Sequence, residues 1–234
     1  MPDAPLILLF VKAPVRGSVK SRIAAVLGDD AALDLYRAFV LDLLDTLDRS
    51  GRAVCICVHP PDALGVVAGW LGRKRCYQPQ DGADLGGRME EAFRRAFARG
   101  ASRALLIGSD LPDLPAGLLD DALRSLDRHD AVIGPATDGG YYLIGFRRET
   151  FLPGVFAAMP WSTGKVLART MEAFRTAGLA VRRLPAWRDN DTVEDLRDLV
   201  RRSRASAFAK SRTMVYLADR REIVQPPEDR DAQV

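Results

Sequence analysis

Cysteine, histidine and long apolar runs are all scarce in this chain, and each scarcity closes off a class of protein. There are only three cysteines and two histidines in 234 residues. Three thiols cannot close a disulfide framework, and a zinc centre that could add only His59 and His129 is short of ligands. Cys55 and Cys57 alternate along an apolar run and Cys76 stands beside Tyr77. The expectation is therefore three reduced, buried thiols in a cytoplasmic protein. The apolar stretch from Pro5 to Val11 falls far short of the about 20 residues that span a bilayer. It also lacks the basic lead-in and small-residue cleavage site of a secretory signal, so no membrane insertion is expected.

Charge of one sign is not in excess either, except at one end. The chain carries 34 basic and 31 acidic residues, and 8 and 5 of these fall within residues 201–234. The body is thus neutral, without the basic face by which folded domains hold nucleic acid, and no nucleic-acid partner is expected. One local anomaly stands out. Between Ala4 and Gly28 there is no acid, while Lys12, Arg16, Lys20 and Arg22 follow one another closely.

What is present is an alternation of strand-like and helix-like segments. Leu6–Val11, Ala53–Val58 and Ala104–Gly108 are apolar runs that read as buried strands, with a weaker one at Arg73–Gln78. Ala131–Gly134, Tyr141–Phe146 and Ala180–Leu184 complete the strands. Helical spacing marks Ala31–Leu47, Ala63–Leu71, Leu85–Ala98, Leu118–Leu126, Lys165–Ala177 and Val193–Arg202, several closed by glycine. Such alternation predicts a three-layer α/β/α sandwich with a mostly parallel central sheet. The character changes after Arg204. Residues 1–204 read as one domain and 205–234 as a partly flexible accessory arm. Within the arm, Thr213–Ala218 and Glu222–Val224 resemble a hairpin around Asp219-Arg220-Arg221. Exposed Val215, Leu217 and Ile223 would pack it on the domain or on a second copy in a homodimer.

In open α/β sheets ligands bind beyond the carboxyl ends of the strands, so the residues after each strand matter most. After the first come Lys12, Arg16, Gly17, Lys20 and Arg22, a loop suited to an anion such as phosphate, since four cations without counter-charge repel one another. Its spacing is that of neither a Walker loop nor a dinucleotide fingerprint. Asp110, after Ala104–Gly108, is placed either to hold a divalent cation or to cap the helix that Pro112 and Pro115 introduce. Asp138-Gly-Gly is a turn signal that also lets a substrate approach the backbone. Thr192 and Asp195 resemble a capping box, which leaves Asp189 and Asp191 unexplained, just ahead of the helix where two acids could complete a metal site. Gln80, Gly86 and Arg88 lie in a glycine-rich helix entry able to read a base edge. Trp161, followed by Ser162 and Thr163, either stacks on a sugar or staples the next helix.

Together these segments resemble the nucleotide-diphospho-sugar transferase superfamily, with its glycosyltransferase-A fold. The likeness is greatest to the small bacterial arsenosugar-biosynthesis-type glycosyltransferases, and more distant to molybdenum-cofactor and 2-phospholactate guanylyltransferases. It rests on Phe10-Val-Lys12-Ala-Pro, Gly17-x-Val-Lys20-x-Arg22, Gly82-Ala-Asp84-Leu-Gly86-Gly-Arg88-Met89 and Gly108-Ser-Asp110-Leu-Pro112. Gly134-Pro-Ala-x-Asp138-Gly-Gly-Tyr141, Trp161-Ser-Thr163 and Asp189-x-Asp191-Thr complete it. Ser21, Ile23 and Val193 depart from the usual residues without removing a charge. The resemblance implies Mg²⁺ or Mn²⁺ on Asp110 and Asp191 with Asp189 in support, and a diphosphate on Arg16, Lys20 and Arg22. It places a nucleotide near Gln80, Gly86 and Arg88, and an acceptor facing Asp138, Tyr141, Trp161 and Thr163.

Two activities fit. One is metal-dependent glycosyl transfer from a nucleotide-sugar to a small-molecule acceptor, with Asp138 as its base. The other is transfer of a nucleoside monophosphate from a nucleoside triphosphate to a phosphorylated acceptor. A non-catalytic nucleotide-binding module would not need Asp110 together with Asp189 and Asp191.

Overall fold

Among the described residues seven strands hydrogen-bond in the order β3-β2-β1-β4-β6-β5-β7. They are β1 (Leu6–Lys12), β2 (Ala53–His59), β3 (Cys76–Pro79), β4 (Arg103–Ile107), β5 (Ala131–Pro135), β6 (Tyr141–Arg147) and β7 (Val181–Arg183). The helices are α1 (Ser21–Leu27), α2 (Asp29–Arg49), α3 (Leu64–Leu71), α4 (Leu85–Ala98), α5 (Ala116–Ser125), α6 (Val166–Thr176), α7 (Val193–Ser203) and α8 (Arg212–Ala218). This computed structural model describes residues 4–220 and 223. The sheet is flanked by helices and is parallel except at β6, which runs antiparallel to both β4 and β5. The mostly parallel sheet expected from the sequence is observed.

The chain divides into two compact units. The sheet unit comprises the chain up to Ala13, Thr46–Ser109 and Leu114–Arg188. Strands β1, β2 and β4 read as apolar runs because each buries four or five consecutive residues. Helix α4 buries Met89, Ala92, Phe93 and Ala96 at helical spacing, and Phe93 meets Phe146 of β6 edge-on at 5.2 Å between ring centres. Such aromatic pairs add about 0.5–1.5 kcal/mol beyond their burial.

The helical unit comprises Pro14–Asp45, Asp110–Asp113 and the chain from Asp189 onward. Its core is Ile23 of α1, Ala32, Leu35 and Phe39 of α2, Val193, Leu196 and Leu199 of α7, and Leu217 and Ile223. Thr192 caps α7 in a reciprocal box with Asp195, as its sequence predicts.

Two expectations are corrected. Thr213–Ala218 is helix, not strand, and Ile223 is also helical; Arg221, Glu222 and Val224 lie outside the described residues. Ser211 caps α8 by accepting from the Met214 amide at 3.1 Å. The buried carboxylate of Asp42 accepts from the Arg212 and Thr213 amides at 3.0 and 2.8 Å. Satisfying those first amides outweighs the strand preference of Thr213, Val215 and Tyr216. Leu217 and Ile223 are buried, and only Val215, 57% exposed, matches its expected exposure. Second, Cys55 and Cys76 form a disulfide between directly opposed residues of β2 and β3, with Cα atoms 4.6 Å apart. Cys76 is exposed, and Cys57 alone is a free buried thiol. Tyr77 beside Cys76 is no sign of burial here, because β3 is the sheet edge.

Candidate functional site

In the helical unit the chemistry gathers on one lysine. Lys20 precedes α1 in a left-handed conformation (φ 50°, ψ 47°) that a residue with a β-carbon adopts at some cost. Its ammonium lies 2.5 Å from an Asp110 oxygen and 2.8 Å from an Asp191 oxygen. It also donates to the Asn190 carbonyl at 2.8 Å. Its side chain is 2% exposed, against 42% and 45% for the two acids. Burial pulls the Lys20 pKa down, but Asp110 and Asp191 outweigh it and hold it above the ordinary lysine value. The Phe39 ring centre, 5.2 Å from the nitrogen, adds a cation–π contact.

Asn190 and Arg202, which the sequence did not single out, hold the acids in place. Asn190 is fully buried and gives both its backbone and side-chain N–H groups to the Asp110 carbonyl, each at 3.2 Å. Arg202 bonds the Asn190 side-chain oxygen at 3.2 Å, Asp113 at 2.8 Å and Asp198 at 2.7 Å. Their sequence signal is slight: an asparagine between two candidate acids, and an arginine in the last turn of a helix.

Arg16 and Lys20 of the first loop have counter-charges, which corrects the repulsion argument for these two. Arg16 pairs with Asp29 at 3.4 Å and Asp30 at 2.7 Å, at the start of α2. Lys20 is neutralised as described. Arg22 is exposed on α1. Asp110 is not a helix cap, since Pro115 holds that position ahead of α5. Asp189 is half-buried, and among the described residues no cluster of three or more His, Cys, Asp or Glu side chains is placed for a metal.

The remaining sites fall in the sheet unit. Lys12 ends β1 directly opposite His59 of β2. An Arg88 guanidinium nitrogen lies 3.1 and 3.2 Å from the two His59 ring nitrogens, while Arg88 Nε is buried without a partner. Burial first, then Arg88 and Lys12, push the His59 pKa down against the opposing effect of Asp62. The sequence marks His59 only as one of two histidines too few for a zinc centre. Gln80 is buried and donates its amide to the Cys57 carbonyl at 2.7 Å and the Val11 carbonyl at 3.4 Å, so both N–H groups tie strands together.

Gly86 and Trp161 meet closely. A β-carbon on Gly86 would stand 2.5 Å from the Phe156 carbonyl and 3.0 Å from the Trp161 ring. Tyr141 lies edge-on to Trp161 at 6.4 Å. Burial raises the Tyr141 phenol far above its usual pKa, with Thr170 partly offsetting it. Gly139, at φ 90°, packs so tightly on Gly164 that a β-carbon would come within 2.4 Å of its carbonyl. Asp138, Tyr141, Trp161 and Thr163 are thereby brought into one neighbourhood. Within it, Asp138 accepts from the Gly140 amide at 2.9 Å and Thr163 donates to the Pro160 carbonyl at 2.7 Å. Thr163 does not cap α6, whose cap position is Lys165.

Strand order and helical cover are those of the nucleotide-diphospho-sugar transferase fold. A solved protein from Desulfovibrio desulfuricans G20, provisionally described as a nucleotide-diphospho-sugar transferase, is 43% identical with a TM-score of 0.92, covering 95% of this chain and 97% of that one. The chain belongs to the family described as "Uncharacterized protein conserved in bacteria (DUF2064)", whose profile matches residues 43–163. The 3-phospho-D-glycerate guanylyltransferase of Phenylobacterium zucineum (strain HLK1) is 35% identical over a 145-residue alignment that covers 57% of this chain. The match spans 64% of that relative's length. Rv0371c of Mycobacterium tuberculosis H37Rv, solved as a manganese complex, shares the fold at 14% identity and a TM-score of 0.53, covering 86% and 99% of the two chains. Among the described residues no helix is long and apolar enough to cross a membrane.

Proposed function

We propose that this protein is a nucleotidyltransferase that moves a nucleoside monophosphate from a nucleoside triphosphate onto a small phosphorylated acid. The observation that carries this reading is the pair of carboxylates, Asp110 and Asp191, sharing one cation at 2.5 and 2.8 Å. Their spacing and hard oxygen donors fit Mg²⁺ or Mn²⁺, which favour one or two carboxylates and complete their shell with water and phosphate oxygens. When bound, such an ion supplies charge neutralisation at the triphosphate. The guanylyltransferase relative supports nucleotidyl transfer directly.

In the step itself, an oxygen of the acceptor phosphate forms a bond to the α-phosphorus of the triphosphate. The bond from that phosphorus to the bridging oxygen breaks, and pyrophosphate leaves with its electron pair. In the helical unit, Arg16, Lys20 and Arg22 are the cations for phosphate. In the sheet unit, taken by itself, Lys12, Gln80, Gly86 and Arg88 are assigned to the nucleotide and Trp161 and Thr163 to the acceptor. A phosphate with its second pKa near about 6 is already a dianion at neutral pH and asks for no general base. That suits the Asp138 carboxylate, which is engaged in its own turn, and the Tyr141 phenol, whose proton is held tightly.

Glycosyl transfer from a nucleotide-sugar is the second reading, favoured by the Desulfovibrio structure. It calls for Asp138 to leave its turn and act on an acceptor hydroxyl. The test is to incubate the full chain with each nucleoside triphosphate, Mg²⁺ or Mn²⁺ and a panel of phosphorylated hydroxy acids, and to follow pyrophosphate. Stoichiometric pyrophosphate with a nucleoside-diphosphate-linked product is expected. Consumption of a nucleotide-sugar without pyrophosphate release from any triphosphate sinks the first reading. A homodimer through the C-terminal segment belongs to the same proposal, with Val215 its exposed apolar side chain. Light scattering of the wild-type chain and Val215→Asp tests it: a monomer in both rejects the dimer.

A further inference from the structure

Lys20 does more than a phosphate-binding lysine requires. An ammonium has three N–H donors, and here three acceptors meet it: Asp110, Asp191 and the Asn190 carbonyl. The lysine is buried behind the acids while both carboxylates remain open to solvent. Its left-handed backbone and its Phe39 contact hold it in that place. We infer that Lys20 is an internal stand-in for the divalent cation: its ammonium and the metal compete for Asp110 and Asp191, and a phosphate-bearing ligand releases the lysine. This deepens the proposed function and rests on it for the identity of that ligand.

The argument is one of charge. Two carboxylates and one ammonium leave a single net negative charge for an incoming ion. A divalent cation sharing the same oxygens would be repelled at contact distance by the lysine. The lysine, for its part, cannot simply withdraw, because a buried cation without a partner is strongly unfavourable. An anion resolves both difficulties. Phosphate oxygens give the ammonium a new partner and free the carboxylates for the metal. Metal and phosphate ligand are then coupled, and linkage requires each to tighten the other by the same factor.

Titration of the full chain with Mn²⁺ alone, reading free Mn²⁺ by electron paramagnetic resonance, tests the competition without any turnover. Lys20→Met and Lys20→Gln are each expected to bind Mn²⁺ at least about tenfold more tightly than wild type. Adding Asp110→Asn to Lys20→Met should abolish that gain. Unchanged or weaker Mn²⁺ binding in a folded Lys20 variant overturns the inference. Should neither variant fold, the wild-type lysine ammonium nitrogen resonance, identified by its contacts to the Phe39 ring, serves instead. It should move when Mg²⁺ and pyrophosphate are added together and stay in place with Mg²⁺ alone. Movement with Mg²⁺ alone, or none with both, rejects the exchange. A chain that shows the exchange but releases no pyrophosphate from any triphosphate keeps this inference and loses the proposed function. One that transfers nucleotide with unchanged Mn²⁺ affinity in the variants does the reverse.

Discussion

Individual side chains here are governed by what surrounds them more than by their type. His59 shows this most directly. Arg88 lies against its ring, Lys12 ends the neighbouring strand, and Asp62 alone opposes them. Burial and the two cations lower its folded pKa below the unfolded value of about 6.5. The folded state therefore binds fewer protons there than the unfolded chain. The stability this group contributes is present above the unfolded pKa and lost as pH falls through the folded one. His59→Gln should remove that part of the acid limb. Urea unfolding of both proteins between pH 7.5 and pH 5.5 is expected to show wild type losing more stability than the variant, and parallel curves would reject the assignment. Gly86 makes the same point sterically. Gly86→Ala must displace either the Phe156 carbonyl or the Trp161 ring, and a loss of about 1–3 kcal/mol is expected in the same assay.

At the scale of elements, the interior strands and amphipathic helices were legible because burial writes a period into the sequence. Met89, Ala92, Phe93 and Ala96 mark α4 by their spacing, and β1, β2 and β4 by unbroken apolar runs. Helix α8 was not legible. Its residues favour a strand, and the deciding partner is Asp42, 170 positions away in the chain. The candidate site divides the same way. Asp110, Asp191 and Lys20 could be picked out as charged residues near strand ends, whereas their mutual neutralisation is a tertiary fact. Asp42→Ala is expected to cost about 1.5–3 kcal/mol, the range for hydrogen bonds to a charged group. Urea denaturation checks it, and the loss should fall on the helical signal of the helical unit. The edge position of β3 gives a second test. Thiol counting on the oxidised chain should find one free cysteine, Cys57, reactive only after denaturation because burial pushes its thiol up to about 12. Three reactive thiols would reject the Cys55–Cys76 bond.

For the whole molecule, the sharpest test concerns how much of the fold depends on the chain beyond residue 204. Leu217 is fully buried and Ile223 nearly so, both within the core that also holds Ile23, Leu35, Phe39, Leu196 and Leu199. Cutting at 204 removes both, and truncating one such side chain costs about 2–5 kcal/mol. It also takes the Arg212 and Thr213 amides from Asp42, whose side chain is only 4% exposed. Losing those two bonds to a charged group costs about 1.5–3 kcal/mol each. Against a total stability of about 5–15 kcal/mol for a domain, the helical unit should not survive the cut. Circular dichroism of residues 1–204 is expected to lose more helix than the deleted segment contains, including that of α1 and α7. Because Lys20, Asp110 and Asp191 belong to the same unit, Mn²⁺ binding in the presence of a nucleoside triphosphate should be lost with it. Full-length Leu217→Ala separates packing from simple shortening, with an expected loss of about 3 kcal/mol. A truncated chain that keeps the urea midpoint of the full-length protein would show that these contacts contribute nothing, and the segment would then be an appendage after all.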